Sequence, residues 1–178
     1  MSNQTTKHGT KWVLTTFTTL ALLIAIEVVL SRVLSLKQWN MRFSFGFIPV
    51  SIAGILFGPI AGGIVGAFGD FIGANLFPMG PFFPGYTLTA LLTGITYGLL
   101  LHKKVNLGRI VIACLVNQVV FSWLINSYWI SYNSSGATYL GMLSVRLLQA
   151  VIMTIVSIIV IRVIGKELLP RLKMAMTR

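Results

Sequence analysis

Apolar residues run along this chain in six long blocks, and polar positions are confined to short stretches between them. The first block runs roughly from Trp12 to Leu34 and is followed by the polar segment SLKQWNMR. The second, Phe43 to Phe57, is short and carries Pro49, which predicts a tilted, kinked or partly non-helical element. A Gly58-Pro59 turn leads to the third, about Ile60 to Phe77, and the loop PMGPFFPG to the fourth, about Tyr86 to Leu101. HKKVNLGR links it to a fifth, about Ile110 to Tyr132, and NSSGAT precedes the sixth, about Tyr139 to Ile164. Blocks of this length and uniformity predict an all-α integral membrane protein, a compact bundle of six transmembrane helices. It forms one membrane domain over residues 1–178, with residues 1–11 an N-terminal segment and 165–178 a basic tail.

Composition agrees: 56% of the 178 residues are hydrophobic and 10% charged, where a soluble domain carries about 25% charged residues. The net charge of +11 does not point to nucleic acid, because the basic residues sit at the ends of apolar blocks. With six spans, Lys7, Lys11, Lys103, Lys104, Arg109, Arg162, Lys166, Arg171, Lys173 and Arg178 fall on one side. Only Arg32, Lys37 and Arg42 fall on the other. The positive-inside rule therefore places both termini on the cytoplasmic side of a multi-pass cell-membrane protein. The block after Lys11 is too long for a signal-peptide core and no A-x-A-like site follows, so a retained first helix is expected. The single cysteine, Cys114, lies within an apolar block and offers no disulfide framework.

Glycine spacing bears on packing. Gly62, Gly66, Gly69 and Gly73 make one stripe on the third helix, and Gly94 and Gly98 repeat the device on the fourth, so that other backbones can approach closely. The intramembrane charges bear on function. At about 1.5 Å rise per residue, Asp70, Arg146 and Glu27 each lie about 10 Å below the outer surface, with Arg32 nearer to it. A charge at a helix centre costs about 2.5–3.5 kcal/mol on insertion scales, so each needs a partner. In one reading Asp70 or Glu27 pairs with Arg146 or Arg32 and locks helices together. In the other, the charges line an outward-facing hollow and hydrogen-bond a polar ligand. The second is favoured by polar and aromatic residues towards the same end: Asn117, Ser122, Trp123, Asn126, Ser127, Tyr128 and Trp129 on span five, with Phe82, Phe83 and Tyr86 beside Pro78, Pro81 and Pro84. Prolines fix φ, so these aromatics suit a preorganised wall for a planar ligand.

Several chemistries have no sequence support. There is no G-x-x-x-x-G-K-[ST] for ATP, no H-E-x-x-H and no Cys/His cluster for zinc. His8 and His102 lie about 20 Å from Asp70, too far for a triad. Nothing in the sequence asks for catalysis, a cofactor or a metal, though a membrane enzyme stays open. A structural membrane subunit without a ligand stays open beside it.

The run FSFGFIPVSIAGILFGPIAGGIVGAFGDFIGANLFPMGPFFPGYTL, Phe43 to Leu88, resembles the substrate-binding S-components of energy-coupling-factor (ECF) vitamin transporters, most closely the folate-specific kind. Ala21-Leu22-Leu23-Ile24-Ala25 is similar to the family's A-x-x-x-A motif. The resemblance implies capture of folate or another vitamin from outside and docking through Ala21 and Ala25 on an ECF transmembrane coupling subunit with two ATPase subunits. It gives Asp70 the pterin's N–H donors, with Asn126 second, and stacking to Phe83, Tyr86, Trp123 or Trp129. It also implies that Lys37, Arg42 and Arg32 attract the glutamate tail, with Arg146 deeper, and that Trp39 acts on a lid.

Overall fold

The protein is described by a computed structural model that covers the backbone of residues 3–38, 41–78, 82–133 and 138–168, with side chains except those of 3–13, 36–38, 41, 42 and 168. Within these residues the chain forms six helical rods. The first is α1 (Asn3–Val28), extended by a π-helical turn, Val29–Val33. A ribbon of β1 (Leu36–Gln38) and β2 (Met41–Phe43) follows, antiparallel, with Leu36 opposite Phe43. Then come α2 (Phe47–Phe57), α3 (Pro59–Leu76) and α4 (Pro84–Leu101). The fifth rod joins α5 (Leu107–Leu115), a π-helical stretch Val116–Ile125 and α6 (Asn126–Asn133); the sixth is α7 (Tyr139–Val163), ending in the π turn Ile164–Leu168.

Local chemistry sets these boundaries. Gly58 stands at φ 93° and ψ −175°, a region open essentially to glycine alone, and Pro59 then starts α3 where its missing N–H is not needed. Phe83 is extended, as a residue before proline must be, and Pro84 opens α4.

Among the described residues, four helices are long and apolar enough to cross a membrane: Leu14–Val33, Pro59–Leu76, Leu107–Asn133 and Tyr139–Glu167. All six apolar blocks form helical rods, and the second and fourth are the two that fall outside this set. The second rod has only 11 residues and, at about 1.5 Å per residue, reaches roughly half of a 30 Å hydrocarbon core. The fourth is diluted by Thr87, Thr89, Thr93 and Thr96. The ribbon was also not expected, since strands of three residues are too short to show alternation.

The glycine stripe splits in two. A Cβ on Gly62, Gly66, Gly94 or Gly98 would strike the backbone of the facing helix, so α3 and α4 touch main chain to main chain. A Cβ on Gly69 would instead strike the Glu27 carboxylate, and one on Gly73 would meet Arg32. The far half of the stripe thus makes room for charged side chains of the first rod. The apolar core gathers where α4 ends and α5 begins, around Ile55, Val65, Leu101, Ala113 and Ile161. It forms a dense floor and leaves the other half of the bundle for polar groups.

Candidate functional site

Above that floor lies a cavity of about 170 Å³. Helix α4 contributes Thr89, Thr93 and Tyr97, spaced four apart and therefore on one face. The fifth rod contributes Asn117, Gln118, Ser122 and Asn126, and α7 contributes Gln149 and Met153. Ser44 and Phe47, where the ribbon passes into α2, close the side. The π-helical stretch explains how the fifth rod supplies so many. At 3.6 residues per turn an α-helix would set Asn126 about 180° away from Asn117. Hydrogen bonding from i to i+5 stacks residues four or five apart instead, and brings Asn117, Ser122 and Asn126 to one wall. Nδ2 and Oδ1 of Asn117, Oδ1 of Asn126 and Oη of Tyr97 are buried without a hydrogen bond.

The charges are arranged differently. Arg32 Nη2 donates to Asp70 Oδ1 at 2.9 Å and to the Asp70 carbonyl at 3.2 Å. Thr87 donates to Asp70 Oδ2 at 2.9 Å. Both carboxylate oxygens are therefore engaged, and the pair ties the first rod to α3 and α4. Asp70 is not among the residues lining the cavity. Of the two readings of the charge layer, helix locking describes Asp70, and Arg32 rather than Arg146 is its partner.

Arg146 is 7% exposed and stands behind the cavity wall. It donates through Nη1 to Ser127 Oγ at 3.2 Å and through Nε to Gln149 Oε1 at 3.5 Å. The guanidinium thus reaches the cavity only through Gln149. The aromatic residues also meet one another first. Phe83 lies 5.2 Å from Trp129 and 5.9 Å from Tyr86, centroid to centroid, and Tyr128 packs on Trp129. A side chain at Gly85 would collide with both Phe83 and Trp129. Trp129 Nε1 donates to Thr89 Oγ1 at 3.3 Å, which fixes a cavity hydroxyl from outside. Trp123 Nε1 donates to the Leu143 carbonyl at 2.9 Å and ties the fifth rod to α7.

Of the expected binding residues whose side chains are described, Asn126 alone is in this lining. Trp39 lies outside the described residues, as do the side chains of Lys37 and Arg42. Ala21 and Ala25 are exposed on the first rod, beside exposed Leu22 and Ile26. Thr89, Thr93, Tyr97 and Gln149 were missed. Their signal was a polar stripe at four-residue spacing on α4 and the single amide of α7. Among the described residues no group of three His, Cys, Asp or Glu side chains could hold a metal ion.

A family profile described as "ECF transporter, substrate-specific component" matches residues 15–165. A curated relative, "Folate transporter FolT" of Clostridium novyi (strain NT), is 39% identical over 112 residues, which are 62% of this chain and 65% of the relative. Another "Folate transporter FolT", from Leuconostoc mesenteroides, is 32% identical over 116 residues, 64% of this chain and 62% of that one. The match thus spans just under two thirds of each curated relative's length. A solved structure, "Crystal structure of FolT bound with folic acid", superposes with a TM-score of 0.77 at 33% identity, covering 83% of this chain and 90% of the other.

Proposed function

This chain belongs to the substrate-specific components of ECF transporters, and we propose that it is the folate-binding member, capturing the vitamin from outside and passing it inward without covalent chemistry. The observation that carries the reading is the cavity of buried amides and hydroxyls within an apolar bundle. Membrane helices keep such groups where they face a ligand or water-filled space. A pterin ring, planar and edged with N–H donors and acceptors, matches that lining in chemistry. The cavity is smaller than the roughly 300–1,000 Å³ of sites that enclose a drug-sized ligand. It therefore takes the ring system and leaves the glutamate tail outside, where Lys37 and Arg42 attract it and Trp39 serves as a lid residue.

In this reading both termini are cytoplasmic, the short α2 and polar α4 complete six spans in the plasma membrane, and the docking face is the first rod around Ala21 and Ala25. The partners are an ECF transmembrane coupling subunit and two ATPases. Leucine at both alanines is expected to leave folate binding by the isolated protein intact and to abolish uptake in cells. Normal uptake by that variant would remove this surface from docking. The direct test of function is quenching of tryptophan fluorescence in purified protein. Folate is expected to quench at nanomolar concentration while riboflavin and thiamine do not; quenching by either of those and not by folate would reassign the vitamin.

A further inference from the structure

Among the described residues of the cavity, Asn117 leaves both of its amide atoms without a hydrogen bond. Asn117 is 4% exposed, lines the cavity, and makes no hydrogen bond through either amide atom. Most buried polar side-chain atoms in folded proteins are partnered, and a group left without a partner calls for an explanation. Tyr97 Oη adjoins it, without a hydrogen bond of proper geometry, and Asn126 Oδ1 is similarly unmet further along the same wall. Among the described residues the lining contains no Lys, Arg, Asp or Glu, so none of them answers a carboxylate or phosphate. What Asn117 offers is one donor beside one acceptor, on a planar group.

We infer that Asn117 is the specificity-determining contact for a lactam edge, its Nδ2 donating to a ring carbonyl and its Oδ1 accepting from the adjacent ring N–H. The ligand class is an uncharged heterocycle of pterin type, entering ring first with its anionic end towards the opening. This rests on reading the cavity as the vitamin site, and it moves ring recognition from the carboxylate of Asp70 to a neutral amide. The π-helical stretch becomes part of specificity, because it turns Asn117 and Asn126 to the same wall.

Two variants test it. Asn117→Leu keeps the size and removes both hydrogen bonds; Asn117→Asp keeps the shape and removes the donor. Each is expected to weaken binding of folate, and of pteroate, which lacks the glutamate, on the order of 100-fold. Without ligand, Asn117→Leu is expected to melt at or above the wild-type temperature, because it removes unmet polar atoms from the interior. A fall in its ligand-free melting temperature of about 5 °C or more would make Asn117 a structural amide and overturn the inference. So would wild-type affinity for folate and pteroate in both variants. If the wild type itself ignores folate, the folate assignment falls alone. Free pterin then decides the lactam edge: binding by the wild type that Asn117→Leu abolishes supports it, and equal binding or none overturns it.

Discussion

Asp70→Asn is expected to destabilise the ligand-free protein by about 3 kcal/mol, the lower end of the cost of breaking a buried ion pair from one side. The Arg32 side chain is 7% exposed and Asp70 19%, so solvent does little to replace the lost charge. Asparagine still accepts a hydrogen bond from Thr87 or Arg32, which keeps the loss towards the smaller figure. The ligand-free unfolding midpoint in detergent measures it, and a double-mutant cycle with Arg32→Met isolates the pair. The double variant is expected to be less destabilised than the sum of the singles, because residues in contact couple. Folate affinity of folded Asp70→Asn protein should remain close to wild type. A large loss of affinity with unchanged stability would return Asp70 to the binding site.

Gly94→Ala is expected to act as strongly by a different route. The added methyl would fall on the backbone of Gly62 and Gly63, and main chain in a helix cannot swing aside as a flexible side chain can. Overpacking a well-filled core costs about 1–3 kcal/mol and at times more; with backbone on both sides the upper end, about 3 kcal/mol, is expected. The same change at Gly108 or Gly141, with no atom near the new methyl, should be close to neutral. Thermal melting of the three variants side by side measures the contrast. A Gly94→Ala protein as stable as Gly141→Ala would show that α3 and α4 are not held main chain to main chain.

Much of the bundle was legible because hydropathy and backbone chemistry act locally. Gly58-Pro59 had to be a turn between helices, while α4 starts at Pro84, two residues before the expected Tyr86. Burial of Asp70 in a chain with three acidic residues required a partner. Which partner was not legible: the depth estimate puts Arg146 level with Asp70 and Arg32 nearer the surface, and only the meeting of the first rod with α3 at Gly69 and Gly73 selects Arg32. The cavity was less legible for a physical reason. Helical periodicity assumes 3.6 residues per turn, and the π-helical stretch Val116–Ile125 breaks it exactly where the wall is built. The aromatic residues meet one another, Phe83 with Trp129 and Tyr128 with Trp129, a preference that looks in sequence like a preference for a flat ligand.

The most direct test is electron density for the protein soaked with folate. The expected result is a pterin ring among α4, the fifth rod and α7, its lactam edge within about 3 Å of the Asn117 amide. Density for the ring against Asp70 instead, or an unliganded cavity at saturating folate, would contradict it.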